Sequence, residues 1–266
     1  MKILCPVDFS NNSKKSFTYA LNLTKLLDAE LHVLHAYKLR DNIAEDNDDS
    51  IEVSTRCKNE MDKLISAIIT VPSIHQFPVC VCQRGETTRV VNNYVKNHNI
   101  DLVIMGSQGR GSIANRVFGS TAKKIVNILN IPVLVIPFDY KSQELPSKLL
   151  IALDNEILEN ESGFIILNII LKALSKNIDI LHLYSKEDEF PFDPFITKYL
   201  KGLIGEIHLI KERDIDFGIV HFIKENDYDF LIMVKRGHGL MRKLFGKNHT
   251  DEEVARSFVP TLIIPE

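Results

Sequence analysis

The chain repeats itself, and that repetition restricts its fold more than any other feature. DLVIM at 101–105 returns as DFLIM at 229–233, and IPVLVIP at 131–137 returns as VPTLIIP at 259–265, both at an offset of 128 residues. Upstream, LLIALD at 149–154 matches ILCPVD at 3–8, and LHLY at 181–184 matches LHAY at 34–37. A repeat of this length is a whole folding unit. With 266 residues and 45% hydrophobic content, the chain can bury two ordinary cores. We therefore expect two domains, 1–138 and 148–266, joined by the polar linker 139–147.

Each unit alternates strand and helix patterns. Residues 2–7 read as a buried strand ending at Asp8, Phe9 and Ser10, and Ser10 is a natural N-cap for a helix with Phe17, Ala20, Leu21 and Leu27 on one face. Residues 31–37 form the second strand, with His35 and Tyr37 opposite Leu34 and Ala36. His32 and His35 then face oppositely and read as structural histidines, not a metal pair. The acidic stretch within 38–52 has too little apolar content to pack and reads as an excursion. It lacks the glycine and final glutamate of a calcium loop. A helix follows, with Val53, Cys57, Met61, Leu64, Ile65 and Ile68 at helical spacing. A third strand at 78–82, a helix bearing Val90, Val91, Tyr94 and Val95, and strands at 102–105 and 131–137 complete the unit. Prolines at both ends of the last strand suit a sheet edge. The pattern predicts an α/β fold: two tandem doubly wound domains, each a five-stranded parallel sheet with helices on both faces.

The second unit's excursion is shorter. Asp193 and Pro194 suit an N-cap and first helical position, Phe195, Tyr199 and Leu200 give an apolar face, and Gly205 is expected to stop that helix. The acidic and aromatic run 187–192 could dock a partner, although a packed surface loop is the preferred reading.

The most chemically suggestive segment lies between the fourth strand and the following helix. Gly106, Gly109 and Gly119 followed by Ser120 form G-x2-G-x9-G-S. Glycines allow close backbone approach, and a helix N-terminus adds unpaired N–H donors, a combination suited to phosphate. Neither the P-loop nor the dinucleotide fingerprint is present. Asp8, at the carboxyl end of the first strand, could accept hydrogen bonds from adenine or ribose, or cap the next helix. In the second unit Val234 replaces Gly106 and Gly246-Lys247 replaces Gly119-Ser120 at a shortened interval. Lys235, Arg236, Arg242, Lys243 and Lys247 make that loop cationic, so an anion could bind there by charge alone, although a solvated basic surface is the preferred reading.

Charge and cysteines narrow the classes further. A net charge of −3 argues against nucleic acid. The apolar run 3–7 is too short for a secretion signal and no window reaches membrane-spanning length, so a cytoplasmic protein is expected. Cys5, Cys57, Cys80 and Cys82 show no C-x-x-C spacing, and a disulfide framework is not expected. Cys80 and Cys82 share a strand face but lack further local ligands, so they read as buried small hydrophobes and not as a metal site.

These motifs, together with the entry Gly119-Ser120-Thr121-Ala122 and the PVLVI strand, make the chain resemble a tandem member of the universal stress protein family. The resemblance implies strand order 3-2-1-4-5, which sets Asp8 and Gly106 in one crevice. It implies that Asp8 meets adenine or ribose, that Val7 and Ala36 wall the base, and that Gly106, Gly109, Gly119, Ser120 and Thr121 hold ribose and phosphates. Pro6, Met105, Ser107 and Gly111 complete the expected site, and Arg110 is placed to add charge. The implied cofactor is ATP or a related adenine nucleotide, with or without Mg2+, at one competent site in the first repeat. Partners are then the nucleotide and an unidentified protein, with no nucleic acid and no membrane. The last strands of the two repeats should pair edge to edge as an internal pseudo-dimer, with further homo-oligomers open. The loop offers no general base, so we expect a stress-response or signalling binder; a slow ATP hydrolase and a scaffold without nucleotide affinity are the alternatives.

Overall fold

The structure, a computed structural model, describes residues 1–38, 47–69, 77–108, 119–142, 144–153, 161–184, 194–212, 215–235 and 259–265. The first repeat supplies β1 (Lys2–Pro6), α1 (Asn11–Leu27), β2 (Glu30–Tyr37), α2 (Asn47–Ile68), β3 (Val79–Arg84), α3 (Thr87–His98), β4 (Leu102–Gly106), α4 (Ser120–Ile128) and β5 (Val133–Ile136). The second supplies β6 (Leu149–Leu153), α5 (Ser162–Leu174), β7 (Ile178–Tyr184), α6 (Pro194–Leu200), β8 (Ile204–Lys211), α7 (Ile215–Glu225), β9 (Phe230–Lys235) and β10 (Thr261–Pro265). Together the strands make one ten-stranded sheet in the order β3-β2-β1-β4-β5-β10-β9-β6-β7-β8. Each half runs 3-2-1-4-5 from its outer edge inward. Neighbours are parallel except at the join, where β10 meets β5 antiparallel with Leu262 opposite Leu134.

The central strands are apolar throughout because helices cover both faces. Ile3, Cys5, Val33, Ile104 and Leu134 point to one side, where they pack with Phe17 of α1, Met61 and Leu64 of α2, and Phe164 of α5. Leu4, Val103, Met105 and Val133 point to the other, against Val91 of α3, Ile125 of α4 and Ile219 of α7. Helix ends follow local rules. Ser10 Oγ accepts from Ser13 N at the start of α1, Glu86 accepts from Arg89 N at the start of α3, and Asp28 and Asn99 close the same helices in the left-handed conformation. Pro132 and Pro137 flank β5 without entering it, so they do not interrupt its two ladders. No described helix is long and apolar enough to cross a membrane.

The repeated residues have shared jobs. Asp101 accepts from Lys2 N, and Asp229 accepts from Ser147 N and Lys148 N, each tying the approach to one strand to the start of its neighbour. His35 Nδ1 lies 2.7 Å from Val7 O and His182 Nδ1 3.2 Å from Leu153 O, so each histidine serves the carboxyl end of its repeat's first strand.

Three expectations are corrected. Gly205 does not stop α6: that helix ends at Leu200, the turn uses Gly202 at φ +78°, and Gly205 lies in β8. A Cβ at Gly205 would stand 2.2 Å from Asp179 Oδ1, which accepts from Glu206 N, so the glycine makes room for a cross-strand carboxylate. The acidic excursion is shorter than expected, since α2 begins at Asn47 and takes in positions 47–52; acidic residue types suit a helix N-terminus. Residues 39–46 and the run 187–192 lie outside the described residues. Finally, Cys57 and Cys82 form a disulfide between α2 and β3, and Cys80 is an exposed free thiol. β3 is an edge strand, so Cys80 lacks the cover that the expected burial required.

Two outcomes follow from these contacts. The Cys57→Ser, Cys82→Ser double variant should lose about 3.5 kcal/mol in urea unfolding under oxidising conditions, the amount that closing a 25-residue separation removes from the unfolded chain's entropy. His32 is buried, with Nδ1 2.8 Å from the Tyr94 hydroxyl and Nε2 3.0 Å from Glu30 Oε1. Burial holds its imidazole below the ordinary value, with Lys2 and His98 adding to the effect and Glu30 opposing it. Below that ordinary value the unfolded chain takes the proton first, so stability is full above it and declines as the pH falls toward the folded-state value. Melting temperature should therefore drop between about pH 7 and pH 5, and His32→Gln should flatten part of that slope.

Candidate functional site

The strand order places the crevice. β1 lies between β2 and β4, and the chain leaves β1 for one face through α1 and leaves β4 for the other through α4. This is the topological switch point of a doubly wound sheet, where the loops beyond the carboxyl ends diverge. Ile3 pairs with Leu102 and Leu4 with Val103; continuing that register carries Val7 beside Gly106 and Asp8 beside Ser107.

Hydrogen bonds then fix the rim. Ser107 N donates to Ile136 O, and Phe138 N donates to Ser107 Oγ, which roots Ser107 between the ends of β4 and β5. Gly119 N donates to Ser107 O at 2.7 Å. The chain thus returns to the end of β4 and starts α4 there. Gly119 is the N-cap in extended conformation and gives no side-chain cap, while Ser120 and Thr121 are exposed in the first turn. Asp8 Oδ1 accepts from Ser10 N, so the carboxylate shapes the turn into α1.

The structure brings Asp8, Gly106, Ser107, Gly119, Ser120 and Thr121 to this rim. Val7 packs in the core beneath α1, and Ala36 packs against the core beneath α3 and α4. Pro6 is buried in β1, and Met105 is buried under α3 and α4, so both support the rim from below. Gly109, Arg110 and Gly111 lie outside the described residues.

Three contributors were not expected as site residues. Phe9 adopts φ +61°, a conformation seldom taken by aromatic residues, and its ring lies 4.4 Å from that of His35. Its position next to Asp8 was the only signal in the sequence. His35 was legible only as a repeated residue, and its bond to Val7 O holds the end of β1. Asn12, 1% exposed, lies in the first turn of α1, and its Nδ2 donates to Gln108 O at 3.0 Å. A Cβ at Gly106 would come within 2.6 Å of that same Nδ2. Gly106 therefore makes room for Asn12, and closeness to a ligand is not the sole reason for glycine there.

The corresponding end of the second half is built differently. Val234 is buried under the helices on the α5 side. Lys235 is not free for an anion: Nζ donates to Val126 O, Asn127 O and Leu129 O, at 3.1, 3.2 and 2.7 Å. Three carbonyls at the end of α4 converge on one ammonium, which caps the helix and complements its dipole. Burial lowers the lysine's pKa. Arg236, Arg242, Lys243 and Lys247 lie outside the described residues.

Comparison with known proteins agrees with this architecture. Residues 1–137 match the universal stress protein family model. A universal stress protein of Methanocaldococcus jannaschii is 23% identical over 141 residues, spanning 51% of this chain and 81% of its own. A crystal structure of a universal stress protein from Archaeoglobus fulgidus superposes over 99% of this chain and 96% of its own, with TM-score 0.70 and 20% identity. A putative universal stress protein from Pseudomonas aeruginosa covers 99% and 92%, with TM-score 0.58 and 13% identity. At these identities the structural matches establish a shared fold.

Replacing Lys235 by methionine keeps the aliphatic stem and deletes the cap. It should cost about 2 kcal/mol in urea unfolding, since charged hydrogen bonds to partly buried carbonyls are lost, while Lys58→Met, at an exposed position of α2, should change stability by less than about 0.5 kcal/mol.

Proposed function

This chain belongs to the universal stress protein family, and we propose that its first repeat binds one adenine nucleotide, ATP in the first instance, as a signalling event. The observation that carries this reading is the Gly119 to Ser107 hydrogen bond. It sets the uncapped N-terminus of α4 at the switch point, where backbone N–H groups and the Ser120 and Thr121 hydroxyls suit phosphate oxygens. On this reading Asp8 accepts from the adenine amino group or a ribose hydroxyl. Residues 1–138 form the nucleotide-binding unit, 148–266 its packing partner, and 139–147 the linker. The buried Val234 and the engaged Lys235 favour a structural role for the second half.

A binder is preferred to a hydrolase on the chemistry of the rim. Rapid hydrolysis needs a group that positions water at the terminal phosphate. Ser107 Oγ already accepts from Phe138 N, and the exposed rim side chains of α4 are hydroxyls, which are poor bases. Turnover should be negligible beside binding.

Calorimetry with ATP tests the reading. The unaltered protein should bind about one nucleotide per chain. Ser120→Asp should weaken binding at least about tenfold, equivalent to 1.4 kcal/mol, because a carboxylate would occupy the phosphate position. A carboxylate also suits a helix N-terminus, so the fold should be retained. If the unaltered protein does not bind, the scaffold reading takes its place; if Ser120→Asp binds equally well, the phosphates lie elsewhere.

A further inference from the structure

We infer that Asn12 is a positioning residue for the phosphate end of this site, an inference that rests on the nucleotide-binding reading above. Asn12 is the second residue of α1 and is 1% exposed. Its amide lies over Gly106, closely enough that any side chain at that glycine would displace it. From there Nδ2 donates to Gln108 O, the last described carbonyl before the chain returns at Gly119. One end of the connection is thus held by Gly119 N on Ser107 O, and the other by Asn12 on Gln108 O. The second hold belongs to α1, the helix whose entry contains Asp8. The base end and the phosphate end of the site therefore share one fastening.

A second observation points to a ligand. Asn12 Oδ1 is buried and has no hydrogen-bond partner among the described residues. Buried acceptors are nearly always satisfied, so an open one at the rim of a binding crevice marks a place completed by a donor from outside the chain. An ordered water that also donates to a phosphate oxygen supplies such a donor.

In the second half Val234 stands in the place of Gly106, so the room that the Asn12 amide uses at the end of β4 is filled at the end of β9.

Asn12→Ser tests the inference. Serine is neutral, fits the first turn of a helix, and is too short to span to Gln108 O. ATP and adenosine affinities are measured by calorimetry on the full chain, alongside Ser120→Asp. If Asn12 positions the phosphate end, Asn12→Ser should weaken ATP about tenfold and leave adenosine within about twofold. A purely structural residue would move both ligands together or neither, and either result overturns the proposal. Should ATP binding survive Asn12→Ser unchanged yet fall with Ser120→Asp, the positioning role is wrong while the site stands. Should the unaltered protein bind neither ligand, the site reading fails and this inference with it. Asn12→Thr serves the same comparison if the serine variant does not fold.

Discussion

The antiparallel pairing of β5 with β10 is the contact on which the rest of this molecule depends. A five-stranded doubly wound sheet has its helices on the faces and leaves β5 as an apolar edge, and an unpaired apolar edge is an invitation to aggregate. Here the second repeat supplies the complementary edge within the same chain, and Leu134 and Leu262 meet in register. The join also removes the asymmetry between centre and edge: β5 and β10 become the middle of a ten-stranded sheet. Pro132, Pro137 and Pro260 stand just outside these strands, and Pro265 closes β10 opposite Lys235.

That pairing has a consequence for the candidate site. Bringing β10 beside β5 brings β9 close to α4, and Lys235 at the end of β9 reaches the last carbonyls of α4. The helix whose N-terminus lies at the rim of the crevice is therefore gripped at its other end by the second repeat. α4 has nine residues, about 13 Å at 1.5 Å per residue. A short helix of this kind frays easily in isolation, so its two ends depend on fixed partners: Ser107 in its own repeat and Lys235 in the other.

Much of this architecture was legible because parallel sheets leave strong marks. Runs such as ILCPVD and DLVIM are apolar on both faces, the repeat offset assigned them in pairs, and the join followed from the family resemblance. What escaped the sequence was contact between residues distant along the chain. Cys57 and Cys82 are apart in sequence and sit on different element types, so spacing could not pair them. β8 escaped notice because its outward residues, Gly205, Glu206, Ile207 and Leu209, break the buried-strand pattern at the sheet edge. Lys235 read as one cation among several, and only the fold shows that helix carbonyls already hold it. At the site, the resemblance named the rim but not Asn12, whose role exists only where α1 crosses the end of β4.

The glycine at 106 shows why a motif and its mechanism need separate arguments. Read along the chain, it belongs to a phosphate loop, and its absence from the second half looks like loss of a ligand contact. Read in three dimensions, it is the space in which the Asn12 amide lies. The two readings are compatible, because the amide that needs the space is the one that holds Gln108. They differ in what a change at each position would remove. A side chain at Gly106 would displace Asn12 and strain the packing of α1 on β4, so loss of binding in such a variant would not identify a phosphate contact. A change at Ser120, exposed at the start of α4, leaves that packing alone.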